Sequence, residues 1–362
     1  MSPKPPLNET AGHGYIPGLD GVRALAVLIV MVAHFGFSHI VPGGFGVTVF
    51  FFLSGFLITR LLIADRSATG AVSLQGFYAR RMVRLAPALI AMLIGSTTLV
   101  SLVGIAPRPV EWLTALTYTV NYHQAFLGDE ARNMPWGHLW SLAVEEHFYL
   151  LFPVFILAMG DRLKLAFKIL LGVCAAALAW RFVTIFGLGL DPAYNYVASE
   201  TRMDSIVWGC LLALGLHLYG APGRLIGWAP MALAVLMLAV SFAWRDEIFR
   251  ETLRYSLQGA ALFIAFANLY FLPRLRWAIS LLELAPLRWT GKISYALFLW
   301  HMPVEALSSQ SGFTGASHMA YGFAMSFALA ALSWYALEKP LLGLRKRLRA
   351  PKTERRPAAQ SA

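Results

Sequence analysis

The stretch Gly137-HLWSLAVEEHFYLLFPVFILAM-Gly160 is apolar enough to enter a bilayer, yet it carries His138, Ser141, Glu145, Glu146 and His147 near its start. An ionisable group within a span costs about 2.5–3.5 kcal/mol on insertion scales, so it ordinarily faces a cavity or a partner. On a helix, His138, Ser141, Glu145 and Tyr149 fall within an arc of about 80°. They form one polar stripe expected at the outer end of the span, while Glu146 points about 100° away from Glu145. Glu145 is thus the candidate inward-facing carboxylate. Glu146 is the one placed to pair with a loop cation or a neighbouring helix.

The rest of the chain fits a membrane setting. It has 362 residues, is 58% hydrophobic and only 14% charged, with a mean hydropathy of +0.60. A soluble domain carries roughly 25% charged residues. At about 20 apolar residues per crossing, about ten spans are expected. They lie near 20–37, 47–63, 85–104, 142–159, 165–187, 204–219, 228–243, 256–272, 292–308 and 319–340. The weaker run Trp112–Leu127 reads as an interfacial or re-entrant helix. The expected fold class is an all-α integral membrane protein. Its parts are a polar cytosolic N-terminal segment (1–18), a transmembrane domain (19–343) and a basic, disordered-looking cytosolic tail (344–362).

The net charge of +11 would suggest nucleic acid in a soluble protein. Here it follows loop sidedness instead: with ten spans, 23 of the 30 Lys and Arg fall on the side of the two termini. An excess of cations marks the cytosolic side, so both termini are expected there. No nucleic-acid partner is expected. No small-residue cleavage site follows the first apolar run, which does not read as a removable signal peptide. Cys174 and Cys210 both lie in apolar runs and read as buried small side chains.

Further polar residues sort by depth. Arg23 and His34, eleven apart in the first span, lie about 20° from each other and about 16 Å apart along a helix. Arg80, Arg81 and Arg84 sit at the cytosolic entry of the third span. Arg202 and Asp204 open the sixth from outside, and His301 sits near the middle of the ninth. His34 has Glu145 as its expected partner at matching depth. Taken alone, His301 also suits plain helix packing, and the arginines also suit ordinary cytosolic loops. There is no GxxxxGK[ST], HExxH or paired CxxC, and no metal is expected. Residue chemistry leaves open an enzyme, a transporter or flippase for a glycolipid or acyl carrier, and a sensor or scaffold.

At these residues the sequence resembles acyltransferase family 3, the membrane-bound bacterial O-acyltransferases of O-antigen, exopolysaccharide and related acceptors. Seven motifs carry the resemblance, in family order over residues 15–342. They are IPGLDGVRALAVLIVMVAHF (16–35), GGFGVTVFFFLSGFLITRLL (43–62), FYARRMVRLAPAL (77–89), HLWSLAVEEHFYLLFPV (138–154), RMDSIVWGCLLA (202–213), ISYALFLWHMPV (293–304) and ALEKPL (336–341). Thr48 stands where the family usually has Asp, and His147 where it usually has Gln. Many relatives carry an added extracytoplasmic hydrolase-like domain, which is not expected here.

The resemblance implies transfer of an acyl group, foremost acetyl from cytosolic acetyl-CoA, to a hydroxyl of an extracytoplasmic or membrane-linked glycan. It implies a multi-pass protein of the bacterial cytoplasmic (inner) membrane. Residue by residue, His34 matches the family's essential histidine, Arg81 and Arg84 its RxxR pair, Glu145 and Glu146 its paired glutamates, and Arg202 and Asp204 its RxD motif. Arg23, Arg81 and Arg84 are then expected to bind the donor phosphates. His34 is expected to act as general base, oriented by Glu145. Ser141, Arg202, Asp204 and His301 are expected to contact the acceptor or the transition state. An acyl-His34 intermediate is the alternative. Lipopolysaccharide, exopolysaccharide, peptidoglycan, a glycolipid and a small antibiotic-like acceptor all fit, and a separate extracytoplasmic transferase is a conceivable partner.

Overall fold

The computed structural model describes residues 14–70, 73–128 and 134–347. The expectations for the first thirteen residues and for the tail beyond 347 lie outside these. The described residues contain no β-strand. Ten of their helices reach 14 residues or more: α1 (Leu19–Val32), α2 (Gly43–Thr69), α3 (Leu74–Ser101), α4 (Trp140–Met159), α5 (Leu163–Phe182), α6 (Ser199–Tyr219), α7 (Trp228–Ala243), α8 (Leu253–Phe271), α9 (Ser294–Gln310) and α10 (Gly315–Ser333). Each coincides with one of the ten apolar runs.

Six segments are long and apolar enough to cross a bilayer, those built on α1 to α5 and on α10. A seventh arises if α8 and the helical segment after it, bent by 89°, count as one. The others fall short for visible reasons. Helices α7 and α9 have only 16 and 17 residues. Helix α6 carries Glu200, Arg202 and Asp204 in its first two turns, and its first sixteen residues are mostly buried against neighbours. The run at 112–127 is not one helix. It breaks into Pro109–Leu116 and Val120–Leu127, where Tyr118 takes a φ of 55°.

Helix α2 is the centre of the bundle, packed against α1, α4, α6 and α8. Two glycines set its crossing with α6. A Cβ on Gly55 would fall 1.9 Å from the Ile206 carbonyl oxygen, and one on Gly209 would fall 1.9 Å from that of Phe52. Small residues of this kind let membrane helices meet backbone to backbone. Outside the spans, Glu283 holds the chain's entry into α1, accepting from the Gly18 N–H at 2.6 Å and from the Tyr15 hydroxyl at 2.7 Å. Burial pushes its pKa up, but these hydrogen bonds and nearby Arg288 and Lys292 outweigh that and hold it below its ordinary value.

Candidate active site

Two groups of cavities lie in the bundle, and one cavity of each group is lined by the same two side chains. The first is lined by Arg23 of α1, Ser54 of α2, Arg81 and Arg84 of α3, and Ser141, Glu145, Glu146 and Tyr149 of α4. The positions Ser141, Glu145 and Tyr149 are about one helical turn apart and face this cavity, while His138, the fourth member of the polar stripe read from the sequence, lines a cavity at His34. An adjoining cavity shares Arg23 and Arg84 and adds Lys292.

The charges here are unevenly paired. Arg81 forms a bidentate pair with Glu146, at 2.6 Å from Nη2 and 2.9 Å from Nε to the same oxygen, and its guanidinium lies 3.2 Å from the centre of the Tyr149 ring. Glu145 accepts from the Ser54 hydroxyl at 2.8 Å. Arg23 and Arg84 form no hydrogen bond or ion pair with another described residue. Two guanidiniums with donors to spare, facing one cavity, are suited to an anion such as phosphate.

The second group opens around His34. Helix α1 ends in a wide turn, Ala33–Phe37, where Phe35 and Gly36 leave helical geometry. Gly36 takes a φ of 111°, a conformation open to glycine and costly for other residues. The turn leaves His34 exposed between two cavities. Its ring lies 5.2 Å from that of His301, which lies 5.0 Å from that of His138. The Phe298 carbonyl is 2.7 Å from His301 Nδ1. A carbonyl only accepts, so Nδ1 carries the proton and Nε2 is left as an acceptor. That Nε2 and both nitrogens of His138 are buried with no hydrogen-bond partner among the described residues.

Val47 and Phe298 line both the arginine cavity and one of the cavities at His34. These two side chains stand between the cavities as a septum.

The site residues expected from the sequence therefore divide. Arg23, Arg81, Arg84, Ser141, Glu145 and Glu146 converge on one cavity, and His34 lines the other two, with the fully buried His301 ring packed against it. The expected hydrogen bond between His34 and Glu145 is not formed. Glu145 is held by Ser54 on the far side of the septum. Ser141 likewise lines the arginine cavity and not the one at His34.

Arg202 and Asp204 line none of these cavities. Asp204 is fully buried in an ion pair with Arg181, at 2.8 Å, and accepts from Ser256. Arg202 is fully buried in an aromatic cage, with the Tyr255 ring at 3.7 Å and Trp140, Tyr196 and Phe51 at 5.4–5.7 Å. Its nearest hydroxyl is Thr48, at 3.4 Å. Cation–π contacts of a desolvated arginine are worth about 2 kcal/mol or more. The cage thus does part of what a carboxylate at position 48 would do. Thr48→Asp should hand Arg202 such a partner and raise the melting temperature in detergent by a few degrees, with Thr48→Val as the control that removes the hydroxyl. An unchanged or lower value would mean that the cage alone satisfies the cation.

Sequence reasoning had not assigned His138 or Lys292 to the site, nor Trp244, Arg245, Arg250 and Arg254 beside His34. The last four fall in WRDEIFRETLRY (244–255), a polar segment between two apolar runs that reads as an ordinary loop.

Comparison with known proteins bears on this arrangement. Over 363 aligned residues, 92% of this chain and 56% of the other, it is 32% identical to "Putative peptidoglycan O-acetyltransferase YrhL" of Bacillus subtilis (strain 168). It is 30% identical to the peptidoglycan O-acetyltransferase OatA of Listeria monocytogenes serovar 1/2a, over 82% of this chain and 50% of that one. The chain thus spans about half the length of the curated relatives it matches. No solved structure matches it. A family model described as an acyltransferase domain matches residues 16–338, which take in both groups of cavities and the septum between them, so the chain belongs to that acyltransferase family.

Proposed function

We propose that the protein is an O-acetyltransferase of the bacterial cytoplasmic membrane that moves acetyl from cytosolic acetyl-CoA to a glycan hydroxyl on the other side. In this reading all ten long helices cross the bilayer and both termini are cytosolic. The observation that carries it is the pair of adjoining cavities, one edged by arginines without an ion-pair partner among the described residues and the other open at His34, meeting at Val47 and Phe298. Arg23 and Arg84, with Lys292 nearby, hold the donor phosphates. The acyl-bearing arm passes the septum and brings its thioester to His34. The names of the relatives make a peptidoglycan-type glycan the first acceptor to try.

The chemistry needs one proton acceptor. The acceptor oxygen attacks the thioester carbon as His34 takes the hydroxyl proton. The tetrahedral intermediate collapses, the C–S bond breaks, and the thiolate leaves and is protonated by the imidazolium. His301, its ring packed edge-on against that of His34 at 5.2 Å, stands where the sequence had suggested Glu145. Glu145 and Glu146 then act on the donor side, where Glu146 fixes the Arg81 guanidinium.

Thiol release from acetyl-CoA by purified protein in proteoliposomes tests this, with and without a cell-envelope glycan fraction. Acceptor-dependent release is expected; a transporter would release none. Arg84→Gln should raise the KM for acetyl-CoA about 10- to 100-fold, since a hydrogen bond to a charged group is worth roughly 1.5–3 kcal/mol. The effect should shrink with a donor lacking the 3′-phosphate if Arg84 reads that group. An unaltered KM would take Arg84 out of the donor site.

A further inference from the structure

One of the two cavities at His34 has a charge pattern that the acyl-transfer step does not call for. Arg245, Arg250 and Arg254 line it with His34 and His39, and no Asp or Glu is among its lining residues. The arginines are not spent on one another's neighbours alike. Arg254 is paired with Glu251 at 3.2 Å. Arg245 gives one donor to the His39 carbonyl, at 3.0 Å, which ties the loop after α1 to the loop after α7. Arg250 is exposed and forms no hydrogen bond or ion pair with another described residue.

Two further features mark this as a binding surface. Trp244 lines the same cavity, is 55% exposed, and is stacked on Phe249 at 4.7 Å and 10°. One face of the indole is thereby fixed against Phe249 while more than half of the residue stays exposed, an amphipathic surface at the cavity edge. The arginines also run against the charge rule. In the ten-span reading only seven of the 30 cations lie on the non-cytosolic side, and three of the seven are these.

We propose that this cavity is the acceptor subsite and that it selects a glycan carrying an anionic group, carboxylate or phosphate, close to the hydroxyl that is acetylated. Arg250 and Arg245 hold the anion, and Trp244 carries the adjoining sugar ring, which sets the hydroxyl beside His34. This rests on the acyl-transfer reading above.

The test uses the full chain in detergent and two matched pairs of acceptors. One pair is peptide-free glycan strands with free lactyl carboxylates against the same strands with those carboxylates amidated. The other is a prenyl-diphosphate-linked disaccharide against the free disaccharide. Transfer is followed with radiolabelled acetyl-CoA, and binding by quenching of tryptophan fluorescence. In wild type, at least one charged member should exceed its neutral partner at least tenfold in kcat/KM. The pair that does so shows whether the charge sits on the sugar or on the lipid linker. In Arg250→Gln, and further in Arg245→Gln/Arg250→Gln, that ratio should fall towards one, with the elution profile of the folded protein retained. Equal transfer to charged and neutral members, or a preference that survives the double variant, overturns the subsite and leaves the transferase standing. Charge-selective binding that needs Arg250, without transfer to any acceptor, removes the transferase reading and with it the acceptor role, leaving an anion-binding cavity.

Discussion

His34→Ala in proteoliposomes lowers acceptor-dependent thiol release by 10²–10⁴-fold, the usual worth of a positioned general base. The size holds where no other group lining these cavities, His39 in one and His138, Glu247 and Glu251 in the other, takes the proton in place of His34. Glu145 is on the far side of the septum, hydrogen-bonded to Ser54. His301 and His138 are buried behind His34, whereas His34 is exposed to both cavities. Folding should be spared for the same reason. An exposed ring at the lip of a cavity supports little packing, so the variant should elute and melt as wild type does. His34→Gln separates the proton-transfer role from ring volume and should fall as far. A variant that releases thiol at the wild-type rate would remove His34 as the base. A variant that acetylates itself yet does not transfer would instead place the acyl group on a second residue.

The sequence made depth legible and azimuth only partly so. Every long apolar run became a helix, because about 20 apolar residues admit few other solutions in a bilayer. Arg81 and Arg84 were placed with Arg23 because all three sit at the same end of their spans. The pairing of Glu145 with His34 failed on the same kind of argument. His138 and Glu145 are seven residues apart, about 10 Å along the helix. It is His138, at the end of that helix, that reaches the level of His301 and His34. Glu145 lies two turns deeper and meets Ser54. Depth counted from the sequence was too coarse to separate those two levels. Arg202 was misread for another reason: the residues that cage it, Phe51, Trp140, Tyr196 and Tyr255, come from four separated segments, and no local pattern announces them. The segment at 244–255 was passed over because its arginines matter only once the fold brings the loop after α1 beside them.

Gly209→Leu should leave no folded protein to assay. The glycine lies where α6 presses its backbone on that of α2, and a Cβ there would stand 1.9 Å from the Phe52 carbonyl oxygen and 2.8 Å from the Phe56 nitrogen. The obstacle is backbone, so no rotamer change relieves it, and the two helices must part. Ordinary overpacking in a core costs about 1–3 kcal/mol because side chains can shift. Here the crossing itself has to move. The consequences reach the site, since α2 carries Val47 of the septum and Ser54, which is bonded to Glu145 and adjacent to Gly55 of the same crossing. The control is Gly172→Leu on α5, where an added Cβ meets nothing within 4 Å. Both changes replace a helical glycine by the same residue, and on propensity alone both should favour the helix, by up to about 1 kcal/mol. Size-exclusion profiles and thermal melts in detergent should therefore separate them completely. Gly209→Leu is expected to aggregate, and Gly172→Leu to melt at or slightly above the wild-type temperature. A monodisperse, cooperatively melting Gly209→Leu would show that α2 and α6 are not locked by this contact. The septum would then have to be held by α4 and α9 instead.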